Sequence, residues 1–217
     1  MIGETHVIFD LDGTLVDTAP VVVNLLNEMR LGRGMTPMSR NGLGSILSVG
    51  GIEMIKSALN IDANEASMEL LKFRALYAQT HTKLDSVYPG VRKTLETLIE
   101  DSVCLSVCTN KPRNLAIKVL TETCLINYFR YISAGDDLPT KKPNIKNLEA
   151  CLINTGYSWK RVYMVGDSTI DQALSRNARI PFWFFMGGYN DGVDLNEAAR
   201  TFICYDQFPL QELCTHL

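Results

Sequence analysis

Five short apolar runs, each closed by a turn-forming or acidic residue, are spaced along this chain, and no other feature constrains its fold as strongly. They are His6 to Asp10, Val103 to Thr109, Arg130 to Ala134, Arg161 to Gly166 and Pro181 to Met186. Runs this short and continuous suit strands buried on both faces, since a strand with one wet face alternates apolar with polar residues. Helix-length segments separate the later runs. Val91, Leu95, Leu98 and Ile99 recur at helical spacing, as do Leu115, Val119 and Leu120, and Ile145–Ile153 and Ile170–Ala178 continue the alternation. Strand, helix, strand in succession demands crossovers, and these are right-handed and give a parallel sheet. The expectation is an α/β chain with a doubly wound parallel sheet.

One region breaks the rhythm. Between Asp10 and Val103 the stretch from about residue 19 to 84 reads as helices: Val21–Leu31, Glu53–Leu59 and Ala66–Thr80, the last with Met68, Leu71 and Ala75 on one side. A helical block between the first two strands is read as an insertion over the sheet, and Pro89-Gly90 marks the return. The expected domains are therefore residues 1–17 with 85–217 as the core and 18–84 as a small helical cap. At 217 residues and 46% hydrophobic the chain buries a sizeable core without disulfides.

Composition narrows the function classes. A net charge of −3 argues against a dedicated nucleic-acid binder, which carries a basic surface. The six cysteines form no C-x-x-C pair and the three histidines are scattered, so a zinc site is not expected. No apolar run is long enough to span a membrane, and Met1 is not followed by a signal-like segment. The expectation is a reduced, cytoplasmic protein with no membrane partner, either a monomer or a homodimer.

Four short segments carry chemistry. Asp10-Leu11-Asp12-Gly13-Thr14 closes the first apolar run, and ligands bind at the carboxyl ends of strands in open α/β sheets. Carboxylates this close repel and need a cation or a shared proton, and a hard divalent cation favours oxygen ligands. Gly166-Asp167-Ser168-Thr169-Ile170-Asp171 repeats the arrangement, with Asp171 one helical turn beyond Asp167; on local grounds these residues are either helix caps or a site. Thr109-Asn110-Lys111-Pro112 is either an N-cap or an oxyanion-binding step. Lys142 in Lys141-Lys142-Pro143, seen alone, reads as a solvated charge. Together the four fall at the carboxyl ends of different strands, so acids, a hydroxyl and a lysine converge. That set suits a metal and a phosphorylated substrate. The phosphate-binding G-x-x-x-x-G-K-[ST] loop, the dinucleotide fingerprint and G-x-S-x-G are all absent.

At this point the residues resemble a known family. DLDGTLVDT from Asp10, Thr109, Lys142-Pro143 and GDSTID from Gly166 look like the four motifs of the haloacid dehalogenase superfamily, in order, over about Val7 to Leu213. TNKP (109–112), AGDD (134–137), KKP (141–143) and GGYNDG (187–192) are similar to its phosphoglycolate phosphatase subgroup. The resemblance implies a Rossmann-like core with an inserted helical cap, and a Mg²⁺-dependent phosphatase acting on a small phosphorylated metabolite, 2-phosphoglycolate foremost. It implies Asp10 as nucleophile, Asp12 as acid and then base, Thr109 and Asn110 on the phosphoryl oxygens, and Lys142 as the neutralising cation. Mg²⁺ is implied at Asp10, the Asp12 backbone carbonyl and Asp167, with Asp171 supporting the site directly or through a neighbour. Arg40, in a segment resembling the subgroup's substrate loop, is implied as a substrate contact.

Two departures stand out. The second proline of K-P-x-P is missing after Pro143, and Ala178 is followed by Arg179 where the family carries glycine. Three other readings remain compatible with these motifs: a phosphatase of another substrate, such as pyrophosphate, a sugar phosphate or a nucleotide; a phosphotransferase or mutase, which passes the phosphoryl group to a sugar rather than to water; and a catalytically silent binding protein. Trp159, Trp183, Phe184 and Phe185 read as core. Tyr189 and Asn190 lie in a loop that either borders the site or does not.

Overall fold

The computed structural model describes residues 5–39, 46–47, 50–158 and 160–214. The chain divides after Asp17 and again before Lys83 into two compact units.

The larger unit is built on β1 (Thr5–Phe9), β2 (Cys104–Cys108), β3 (Tyr131–Ser133), β4 (Arg161–Gly166), β5 (Phe182–Phe185) and β6 (Arg200–Phe202). These form one sheet in the order β3-β2-β1-β4-β5-β6, and every adjacent pair is parallel. The chain runs outward from β1 through β2 to β3, then returns to β4 and runs outward the other way. The winding therefore reverses between β1 and β4, the switch point at which open α/β sheets bind ligands. Phe9 lies beside Val107 on one side and Val165 on the other, so the residues after β1, β2 and β4 leave the sheet together.

Burial explains the runs. Val7, Ile8 and Phe9 of β1 have no exposed surface, and each fully buried side chain of this kind contributes about 1.5–3 kcal/mol. Trp183, Phe184 and Phe185 are core residues as expected, with Trp183 edge-on to Phe208; Trp159 lies outside the described residues. The strand β6 has no counterpart among the five apolar runs. Of Arg200, Thr201 and Phe202 only Phe202 is buried, so an outer strand of three residues leaves no apolar run to read.

The crossovers are α4 (Val91–Glu100), α5 (Arg113–Glu122), α6 (Lys146–Thr155) and α7 (Thr169–Ala178). The short helix α8 (Gln211–Cys214) ends the described chain.

The smaller unit packs α1 (Ala19–Leu31), α2 (Gly51–Leu59) and α3 (Ala63–Gln79) on one another. Asp62 caps α3, accepting from the backbone N–H groups of Asn64 and Glu65 at 2.9 Å. The apolar face expected for α3 is corrected. Met68 and Leu71 are 63% and 59% exposed, while Ala66, Leu70, Phe73 and Tyr77 are buried. This helix carries apolar residues on two faces, and its buried face also admits Glu69, whose charge pairs with Lys72 at 2.6 Å and Arg33 at 3.2 Å. Among the described residues no helix is long and apolar enough to cross a membrane.

Candidate active site

The site assembles where the winding of the sheet reverses. Asp10 follows β1 and extends its ladder by one step, its N–H donating to Val165 O at 2.9 Å. The chain then turns through Gly13, at φ +81°. A Cβ at Gly13 would lie 2.3 Å from Asp167 Oδ2, so both the turn and the approach of the second acid require glycine.

Asp167 follows β4 and is buried. Thr14 Oγ1 donates to its Oδ1 and the Tyr189 N–H donates to its Oδ2, each at 2.7 Å. The loop of Tyr189 therefore borders the site. Gly188 beside it has no room for a side chain, since a Cβ there would come within 2.2 Å of Gly13 O. Burial, reinforced by the negative charges of Asp171 and Asp10, pushes the Asp167 carboxyl well above the ordinary range.

Ser168 and Asp171 are helix caps, and Asp171 also faces the acids of the candidate site. Ser168 is the N-cap of α7, and with Asp171 it forms a capping box, each side chain serving the other's backbone N–H. Asp171 Oδ2 also accepts from Ser168 Oγ at 2.6 Å. Its other oxygen, Oδ1, meets Lys142 Nζ at 2.7 Å.

Lys142 is not a solvated charge. It is 5% exposed, and its Nζ also lies 2.8 Å from Asp10 Oδ1. The ammonium thus bridges two buried carboxylates, which hold its pKa above the usual lysine range against the effect of burial. For Asp10, burial outweighs that partner, and its carboxyl is pushed up to about 7. Asn110 fixes the backbone that carries Lys142. Its Oδ1 accepts from Lys142 N at 2.9 Å and its Nδ2 donates to Lys142 O at 3.1 Å. The Asn110 carboxamide, expected on a phosphoryl oxygen, is engaged with Lys142.

Thr109 is buried after β2, its N–H donating to Ser133 O at 2.9 Å. The N-cap of α5 is Pro112, three residues on, and Asp136 Oδ1 accepts from Arg113 N at 2.7 Å. Thr109 is therefore not the cap. Asp12 pairs with Lys111, whose Nζ lies 2.9 Å from Asp12 Oδ1 and 3.2 Å from Oδ2. Lys111 stands in the segment Thr109-Asn110-Lys111-Pro112, whose sequence gives it no role of its own. Arg40 lies outside the described residues.

The donor set fits a hard divalent cation. Asp10, Asp167 and Asp171 each offer an oxygen, all within 4.8 Å of one another. With Asp12 the site gathers four carboxylates against the ammonium groups of Lys111 and Lys142. Two negative charges are left over when all are ionised, and a divalent cation balances them.

Known proteins resemble this chain in sequence and in fold. A phosphoglycolate phosphatase of Agrobacterium fabrum is 35% identical over 189 residues, 85% of this chain and 81% of the relative. A phosphoglycolate phosphatase of Rhodobacter capsulatus is 31% identical over 84% of each chain. A crystal structure from Haemophilus somnus, described as a predicted phosphoglycolate phosphatase, superimposes with a TM-score of 0.83 at 23% identity, covering 94% of this chain and 96% of that one. A β-phosphoglucomutase from Clostridium difficile superimposes at 0.78 with 16% identity, over 98% and 97%. These two establish the fold alone. Residues 7–185 match the family described as haloacid dehalogenase-like hydrolase, and the chain belongs to that family.

Proposed function

We propose that this protein is a Mg²⁺-dependent phosphatase of small phosphorylated metabolites, with 2-phosphoglycolate as its substrate. The observation that carries the reading is the bridge of Lys142 between Asp10 and Asp171 at the mouth of the sheet. It fixes a carboxylate beside a permanent cation, which is what in-line attack on a phosphoryl group needs. The curated relatives named phosphoglycolate phosphatase support the substrate.

Asp10 is the nucleophile. Its carboxylate oxygen attacks phosphorus, the bond from phosphorus to the ester oxygen breaks, and Asp12 gives its proton to that oxygen as the alcohol leaves. Asp12, now ionised, takes a proton from water as the water attacks the aspartyl-phosphate. Phosphate departs and the Asp10 carboxylate is restored. Lys142 holds charge on the nucleophile and the phosphoryl group, and the Thr109 hydroxyl positions a phosphoryl oxygen. Asn110 serves by holding the Lys142 backbone. Asp10, Asp167 and the Asp12 carbonyl, with Asp171 in support, would hold Mg²⁺, which would supply the charge that lets a phosphate dianion approach acids. The five free cysteines among the described residues suit a reducing compartment such as the cytoplasm.

Phosphate release from phosphoglycolate, pyrophosphate, hexose phosphates and a nucleotide monophosphate, with Mg²⁺ and with EDTA, tests the reading. Metal-dependent release fastest on phosphoglycolate is expected. Failure to release phosphate from any ester contradicts it, and turnover that requires a sugar acceptor identifies a phosphotransferase instead.

A further inference from the structure

The mechanism above uses Lys142 but leaves Lys111 without a task. The Lys111 side chain is only 9% exposed, and its ammonium forks across both oxygens of Asp12 at 2.9 and 3.2 Å. Its position is fixed from behind, because its own N–H donates to Thr109 Oγ1 at 3.2 Å. A cation withdrawn this far from water is not an ordinary surface charge, since its desolvation has to be offset by fixed partners.

Where it lies relative to the chemistry decides what it meets. Asp12 hands its proton to the ester oxygen, so that oxygen comes within hydrogen-bond reach of the Asp12 carboxylate. The Lys111 ammonium is therefore a single carboxylate away from the leaving group. In a phosphate ester of a 2-hydroxy acid, the acid's carboxylate carbon is two bonds from that same oxygen. Such a carboxylate is carried up beside Asp12 and away from bulk water, where an anion needs a cation at hand. An ammonium has three donors on a rotating head and serves two carboxylates at once.

We propose that Lys111 forms a carboxylate subsite, which makes the site prefer phosphate monoesters whose alcohol carries a carboxylate on the adjacent carbon. This deepens the phosphatase reading and rests on it. Lys111 acts on two carboxylates, those of Asp12 and of the substrate, and the two roles separate experimentally. Loss of the Asp12 contact affects every ester alike, whereas loss of the substrate contact affects only esters that bear the carboxylate.

The test compares 2-phosphoglycolate with ethyl phosphate, which has the same carbon count and no carboxylate, in wild type, K111M and K111R. The ratio of kcat/KM for phosphoglycolate to that for ethyl phosphate falls about 10- to 100-fold in K111M, chiefly through KM, and K111R recovers part of it. K111Q carries the same comparison should K111M fail to fold. Binding gives a second readout that needs no turnover. In an Asp10→Asn background with Mg²⁺, calorimetric titration shows K111M weakening phosphoglycolate by a similar factor and ethyl phosphate by much less. Equal losses on both esters, or an unchanged ratio, overturn the subsite. If neither ester turns over in wild type while the binding preference is present and collapses in K111M, the subsite stands and the phosphatase reading falls.

Discussion

Lys142 Nζ lies 2.7 Å from Asp171 Oδ1, and the carboxylate it meets has no exposed surface and caps α7 with its other oxygen. One acid thus ties the start of a helix to the cation beside the nucleophile. Asp171→Asn keeps the shape but removes the charge. We expect a stability loss of about 1.5–3 kcal/mol, as for a hydrogen bond to a charged group, and a fall in kcat of about 10- to 100-fold from the misplaced lysine. Lys142→Met leaves two buried carboxylates facing each other and costs more, about 3–5 kcal/mol. Urea denaturation of the two variants checks the order, and wild-type stability in either contradicts the bridge.

The proposed Mg²⁺ site predicts that Mg²⁺ stabilises the fold, and does so more as pH rises. Without a cation the Asp10 carboxyl is pushed up to about 7 by burial, so below that pH a proton competes with the metal for it. The rise in Tm on adding Mg²⁺ is expected to be larger at pH 8 than at pH 5.5, by thermal denaturation. An equal shift at both values, or none, counts against a metal at these acids.

His6 gives a pH dependence of its own. It is buried in β1, with Nε2 2.9 Å from Ser106 Oγ, and burial lowers its pKa to about 4 from 6.5. Between those values the unfolded chain binds more protons than the folded one, so stability falls as pH drops. The contribution is complete above about 6.5 and lost by about 4, a change of about 3 kcal/mol. Asp10 works in the opposite direction over an overlapping window, since its folded pKa is raised. The measurement is therefore a difference: His6→Gln should lose less stability than wild type between pH 7 and pH 4.5. Identical pH profiles would show that His6 is not the group responsible.

The sheet was legible where strands are buried on both faces, because burial forces continuous apolar runs such as Val7-Ile8-Phe9. It was not legible at β6, and the buried face of α3 was not legible either, since apolar residues line two sides of that helix. In the site, the acids announced themselves by ending apolar runs. The Thr14 and Tyr189 contacts to Asp167, and the pairing of Lys111 with Asp12, join residues far apart in sequence and needed the fold to become visible.

Arg179 shows a local cue with a measurable consequence. The missing glycine after α7 does not change how the helix ends. Arg179 itself adopts the left-handed conformation, at φ 56°, and donates back to Arg176 O. A residue with a Cβ carries a penalty there of about 1–2 kcal/mol. Arg179→Gly should therefore raise stability by about 1 kcal/mol in urea denaturation, and a loss of stability would mean that the arginine side chain outweighs its backbone strain.

The claim on which the rest depends is that Asp10 receives the phosphoryl group. Mass spectrometry of acid-quenched protein during turnover of phosphoglycolate tests it most directly. The account predicts one phosphoryl group on the peptide containing Asp10, and neither phosphorylation nor turnover in Asp10→Asn. Turnover that survives in Asp10→Asn, or a phosphoryl group found on another residue, would contradict it.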